Sequence, residues 1–371
     1  MGLLKRALSI LILCSSIALA AGAVTRADDG AQAIDGMYVH TYGNPSAQPL
    51  VYIHGGPGFD SWSFEETTAQ QMAAKGYYVV VYDRRGEGRS KYTGQSDYTF
   101  KTAVKDLKLV CDTLKLKSPV ILSHSFGGPI AVRFEQAYPG YAKKIVLVSG
   151  AIDSWGWAHS TYDNCVVKYT KTSPDPVKFA KMKQIFDQYF QYEHACQKDT
   201  SKPALPESPC PPTASSGQPL QGVARDCVTS IIDTLCPIPP LDIVQKEGDY
   251  EGDCGVYQGY PGPGAKEAYD SLNSHPLQGE KPHGDALAGY YQDPDSFVRN
   301  DGTPYAAAHR DRFCGVYGDH DGLFDGINPD GTSQLQKFQA AFKTTVVPSG
   351  HNIFLDQNQN FTAIVKSACG I

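Results

Sequence analysis

Short apolar runs recur along the chain, separated by glycine-rich turns and by stretches of helical spacing. Leu50–Ile53, Tyr77–Tyr82, Val120–Leu122, Lys144–Ser149, Phe313–Tyr317 and Thr344–Val347 are apolar almost throughout. Such runs suit strands buried on both faces. Met37–Tyr42 alternates and reads as an edge strand or hairpin arm. Between the runs lie helical patterns: one through Thr67, Met72 and Ala73 ending near Gly76, one over 102–116, one through Ile130, Ala131, Val132 and Phe134, and a last one over 360–367. Strand and helix alternating at short intervals predict an α/β fold, with a mostly parallel sheet covered by helices on both faces.

The alternation stops at Gly150. From about Asp153 to Ala308 the chain is rich in Pro, Gly, Tyr, Asp and Cys. Helical spacing returns over 176–195, and a short helix is expected over 223–235. The prolines of 204–217 make that stretch irregular, and 257–264 reads as a loop. The sheet pattern resumes only at Phe313. The expected organisation is therefore a core over 24–152 and 309–371, interrupted by an inserted cap over 153–308.

Lys5 and Arg6 precede an apolar run to Ala20, followed by small-residue sites at Ala18-Leu19-Ala20 and Ala21-Gly22-Ala23. That is the layout of a secretory signal over 1–23, with an apolar run short for a membrane span. A secreted or periplasmic protein without stable membrane insertion is expected. The ten cysteines fit export. Cys14 falls in the leader, and no C-x-x-C pair suggests a metal or redox motif. Six of the others lie between Cys165 and Cys254, so disulfides are expected to staple the cap. With an odd number remaining, Cys111 is the candidate free thiol, because it shares an apolar helix stripe with Leu107, Val110 and Leu114. Asn360-Phe361-Thr362 matches a glycosylation sequon. A net charge of -6 and no basic block argue against a nucleic-acid partner.

The candidate chemistry centres on Ser123-His124-Ser125-Phe126-Gly127-Gly128. A buried strand precedes it and a helical pattern follows, so Ser125 sits at the apex of a strand–turn–helix elbow. Ser123 stands where the usual G-x-S-x-G pattern has its first glycine. A serine nucleophile needs a base, an acid that orients the base, and an oxyanion hole. His351, in Gly350-His351-Asn352 after the last strand, is the candidate base; His54 and His124 are poorer ones. Asp321, in Gly318-Asp319-His320-Asp321, is the candidate acid, with Asp319, Asp325 and Asp153 as competitors. The order Ser, Asp, His matches that of α/β-hydrolase triads. The N–H groups of Phe126 and of Gly56, in His54-Gly55-Gly56-Pro57-Gly58, are the candidate oxyanion donors. Asp83–Ser90 carries charge nearby and reads as a structural turn. No metal or organic cofactor is implied.

Together, H-G-G-P-G at 54–58, Y-D-R-R-G-E-G-R-S at 82–90, the elbow at 123–127, G-D-H-D at 318–321 and G-H-N at 350–352 resemble the α/β-hydrolase superfamily and its prolyl iminopeptidase-like branch. The resemblance covers about 24–152 and 309–371. It implies an α/β-hydrolase fold with a cap where the insertion lies, and catalytic positions at Ser125, Asp321 and His351. It also implies a small-molecule or short peptide substrate with a free N-terminus, held in that family by acidic cap residues. Glu193, Asp226 and Asp233 are the candidates here. The elbow departs from the branch's usual G-G-S-W-G. A carboxylesterase acting on small esters is the competing enzyme, and a secreted binding protein that kept the fold is the non-enzymatic alternative. Epoxide hydrolases and dehalogenases place Asp rather than Ser at the nucleophile. The oligomeric state is left open.

Overall fold

A computed structural model describes residues 30–92, 98–164, 176–197, 246, 259–274, 283–293, 295, 301–324 and 331–371. Eight strands form one sheet: β1 Gln32–Ile34, β2 Met37–Tyr42, β3 Gln48–Ile53, β4 Tyr77–Tyr82, β5 Val120–His124, β6 Lys144–Val148, β7 Phe313–Gly318 and β8 Lys343–Val347. Their spatial order is β1-β2-β4-β3-β5-β6-β7-β8. β1 and β2 pair antiparallel, as do β2 and β4. Every other neighbour is parallel. β2 is thus a hairpin arm, and β1, which the patterning did not announce, takes the edge.

The apolar runs have no polar face because both faces are covered. Side chains alternate across a strand, so each run feeds two cores. Val51, Ile53, Ile121, Ile145 and Leu147 join one core, under the helices Phe100–Thr113, Gly127–Ala137 and Gln334–Ala341. Leu50, Tyr52, Val120, Leu122, Val146 and Val148 join the other, beneath the helical segment 62–74 and the helix Phe361–Cys369. Each fully buried Val, Leu or Ile contributes about 1.5–3 kcal/mol relative to exposure. The terminal helix is also tied to β7 by the disulfide Cys314–Cys369, and Cys111 is free and buried.

Among the described residues, the insertion adds helices and no strand: Ser154–Tyr162, Pro176–Gln197, Ala265–Ser274, His283–Gln292 and Thr303–Ala308. The last part packs on the core. Tyr290 stands 5.0 Å from the Phe126 ring and 5.4 Å from Phe100, and Asp293 Oδ2 accepts the Phe100 N–H at 2.6 Å. The leader 1–23, the segments 204–217 and 223–235, Cys165, Cys210, Cys227, Cys236, Cys254, Asp226, Asp233 and Asp325 lie outside the described residues, as do the side chains of Cys196 and Glu193. The expected disulfides of the cap therefore fall outside as well, and the cystine that is described belongs to the core.

Candidate active site

Parallel strands deliver their carboxyl ends to one rim, where ligand sites of open α/β sheets lie. β5 ends at His124, β7 at Gly318 and β8 at Val347, so Ser125, Asp321 and His351 all follow carboxyl ends on that rim. Ser125 turns the chain with φ 49°, a left-handed conformation that L-residues adopt at a cost of about 1–3 kcal/mol. Several contacts hold it there. Its N–H donates to Val148 O at 3.1 Å, while its carbonyl accepts from Gly128 at 2.9 Å and Ala151 at 3.1 Å. Small residues are required around it. A Cβ on Gly127 would meet Ile53 O at 2.6 Å, and one on Gly128 would meet Gly150 Cα at 3.0 Å. Ser123, at the altered position, is fully buried and donates its hydroxyl to Val146 O at 3.2 Å.

The imidazole of His351 is buried, with Nδ1 3.0 Å from Asp321 Oδ2 and 3.1 Å from Oδ1. A carboxylate only accepts, so this contact puts the proton on Nδ1 and leaves Nε2 the accepting nitrogen. Asp321 is fully buried and also accepts the Leu323 N–H at 3.2 Å. The two loops are laced together behind it. Asp319 N–H donates to Val347 O, His320 N–H to Ser349 O, and Ser349 N–H to Asp319 Oδ1. Of the competing carboxylates, Asp319 and Asp153 are engaged elsewhere, and Asp325 lies outside the described residues. Asp319 pins the Ser349 backbone and contacts His320, while Asp153 caps the helix Ser154–Tyr162 through the Gly156 N–H and pairs with Lys337.

Sequence reasoning missed the role of His124. Its ring lies 4.9 Å from that of His351, and its Nε2 is 3.2 Å from the His351 carbonyl, which fixes Nε2 as the protonated nitrogen. Burial and the neighbouring His351 push its pKa down to about 3, so it stays neutral. The only signal for this in the sequence is its place beside Ser125.

The His54–Gly58 loop runs along the other side. A Cβ on Gly55 would lie 3.2 Å from Ser125 Cβ and 3.1 Å from His124 Nδ1, so the loop passes tightly against the elbow. Arg84 N–H donates to His54 Nε2 at 3.1 Å, which leaves the His54 proton on Nδ1, donating to Gly55 O at 2.8 Å. Burial holds the His54 pKa well below the usual value, with Arg84 adding to the shift. The Asp83–Ser90 turn behind it is held by ion pairs. Asp83 Oδ2 accepts Arg89 Nε at 2.8 Å, and Asp83 Oδ1 accepts the Ser61 N–H at 2.9 Å. Burial alone would raise the Asp83 carboxyl, but Arg89 holds it below its ordinary range.

Among the described residues no group of three or more His, Cys, Asp or Glu side chains could hold a metal ion, and no helix is long and apolar enough to cross a membrane.

A family model described as alpha/beta hydrolase fold matches residues 48–198. The chain has the α/β-hydrolase fold. Within that class it is similar to proline iminopeptidases: it is 31% identical over 125 residues to the proline iminopeptidase of Lactobacillus delbrueckii subsp. lactis, a match covering 33% of this chain and 42% of that protein. It is also 34% identical over 101 residues to epoxide hydrolase B of Mycobacterium tuberculosis (strain ATCC 25618 / H37Rv), over 27% of this chain and 28% of the relative. These matches span less than half of each relative. A proline iminopeptidase-related protein from Thermus thermophilus superposes with a TM-score of 0.58 at 18% identity, over 92% of this chain and 96% of that one, a likeness of fold.

Proposed function

We propose that the protein is a serine hydrolase working through an acyl-enzyme, with Ser125 as nucleophile, His351 as general base and acid, and Asp321 as the carboxylate that orients the base. The observation that carries this is the buried Asp321–His351 Nδ1 contact on the rim that also bears the left-handed Ser125. In this reading the Ser125 hydroxyl attacks a substrate carbonyl carbon and gives its proton to His351 Nε2. The N–H groups of Phe126 and Gly56 receive the tetrahedral oxyanion. Collapse expels the leaving group, which takes the proton from His351. Water then attacks the acyl-enzyme, His351 accepts its proton, and Ser125 leaves reprotonated. Asp321 keeps the imidazole in one tautomer and stabilises its charged form.

The favoured substrate is a short peptide with a free N-terminus, cleaved in the manner of an aminopeptidase; the likeness to a proline iminopeptidase supports this choice. Export to an oxidising compartment belongs to the same reading and is supported by the Cys314–Cys369 disulfide. The test is labelling with a fluorophosphonate, followed by turnover of proline arylamide against short p-nitrophenyl esters. Wild type should label and Ser125→Ala should not. An unlabelled, folded wild type would favour a binding protein, and ester turnover without arylamide turnover would favour a carboxylesterase.

A further inference from the structure

The Arg84 side chain is buried at the site, inside a turn whose sequence reads as purely structural. Its Nη1 donates to the His54 carbonyl, and its Nη2 donates to the Gly55 carbonyl at 2.9 Å. Its position is fixed from several sides. Nη2 also lies 2.6 Å from Glu87 Oε2, and the guanidinium carbon stands 5.4 Å from the centre of the Phe126 ring. The Arg84 guanidinium therefore grips the start of the loop by two carbonyls, at 54 and 55.

The Gly55 carbonyl has particular consequences, because it shares a peptide unit with the Gly56 N–H. A planar trans peptide points its C=O and N–H in opposite directions. Holding the oxygen toward Arg84 thus aims the Gly56 N–H away from it. Two donors converge on that oxygen, the Arg84 guanidinium and His54 Nδ1. A carbonyl that accepts from a cation is polarised, which makes the N–H at the other end of the same peptide a stronger donor.

We propose that Arg84 is a positioning residue of the oxyanion hole, one that orients and polarises the Gly55–Gly56 peptide through the Gly55 carbonyl. The assignment rests on the serine-hydrolase reading, in which Gly56 supplies a donor. Arg84 touches no substrate and acts through that peptide. Arginine suits the task because its planar fork reaches two carbonyls and the Glu87 carboxylate together; a lysine offers a single charged point.

The test uses the mature protein with two variants. Arg84→Lys keeps the charge, and the pair Arg84→Gln/Glu87→Gln removes both charges so that no lone carboxylate is left buried. Fluorophosphonate titration counts competent sites, and turnover is expressed per titrated site, so partial misfolding does not enter the comparison. Whichever of the arylamide and the p-nitrophenyl ester wild type turns over is the substrate. Loss of a whole oxyanion donor costs about 10²–10³ in kcat, so a donor that is kept but poorly aimed should cost about 10- to 100-fold in the paired variant and less in Arg84→Lys. KM should stay within about twofold. Affinity for phenylboronic acid, which forms a tetrahedral adduct on a nucleophilic serine, should fall in step with kcat. Unchanged kcat per titrated site in the paired variant overturns the proposal, and so does a loss confined to KM. Failure of the underlying reading has a different appearance: wild type itself would not label, and the proposal would fall with it.

Discussion

The carboxylate of Asp356 accepts the backbone N–H of Gly350 at 2.8 Å, one residue before His351. The same side chain accepts the Ser349 hydroxyl at 3.1 Å, the Tyr260 N–H at 3.0 Å and the Tyr269 hydroxyl at 2.9 Å. One buried carboxylate thus ties the His351 loop to the inserted segment that carries Tyr260 and Tyr269. Asp356→Ala leaves these donors unsatisfied and should cost about 3 kcal/mol, read as the change in urea-unfolding free energy. Hydrolytic turnover should fall with it, because the imidazole loses its backing. A variant of wild-type stability would show that the donors find other partners.

Gly318, the last residue of β7, lies where a Cβ would run into the carbonyl oxygens of Ser349 and Gly350. Its lack of a side chain lets the Asp321 loop lie directly on the His351 loop. Gly318→Ala must push these loops apart, and a small displacement of a catalytic pair can cost about 10²-fold in rate. Turnover should drop by that order while fluorophosphonate labelling of Ser125 slows. Full activity in Gly318→Ala would mean that the two loops tolerate separation.

The buried neutral histidines contribute to the acid limb of stability. His124 has a folded-state pKa of about 3 against 6.5 for an unperturbed imidazole, because burial and His351 disfavour its charged form. Between these values the unfolded chain binds a proton that the folded chain does not, so stability falls as the pH drops from 6.5 toward 3. The slope is about 1.4 kcal/mol per pH unit for this group. His54 acts in the same direction, whereas Glu87, raised by burial to about 7, opposes them between 4.5 and 7. Comparing urea unfolding of wild type and His124→Gln at pH 6.5 and 5 isolates the His124 contribution. The variant should lose less stability than wild type on acidification; parallel losses would contradict the assignment.

The disulfide Cys314–Cys369 closes a loop with a sequence separation of 55 residues. Chain-entropy reasoning puts its contribution at about 4 kcal/mol through restriction of the unfolded state. Replacing both cysteines by alanine should lower the unfolding free energy by up to that amount. Reduction of wild type with dithiothreitol should reproduce the loss, and an indifferent reduced protein would show that the terminal helix holds to β7 by packing alone.

What the sequence by itself determined is local. Six apolar runs and their intervening helical periods announced a parallel sheet between two layers, because a strand buried on both faces must be apolar at every position; Tyr77–Tyr82 is buried throughout. Cys111 was legible from its apolar helix stripe for the same reason. Ser125, Asp321 and His351 stood out by motif and order. β1, with two of its three residues exposed, and the helices of 265–274 and 283–292 carried too weak a period to be seen. Only the tertiary structure separates Asp153, Asp319 and Asp321, which all follow strands and differ in what they reach: a helix cap, the Ser349 backbone, or the His351 imidazole. It alone set the Cys314–Cys369 pairing, the service of His124 to the His351 backbone and the grip of Arg84 on the Gly55 carbonyl. Periodicity records which face of an element is dry, whereas these contacts join residues from different strands and loops, and their geometry exists only once the sheet has brought the loops to one edge.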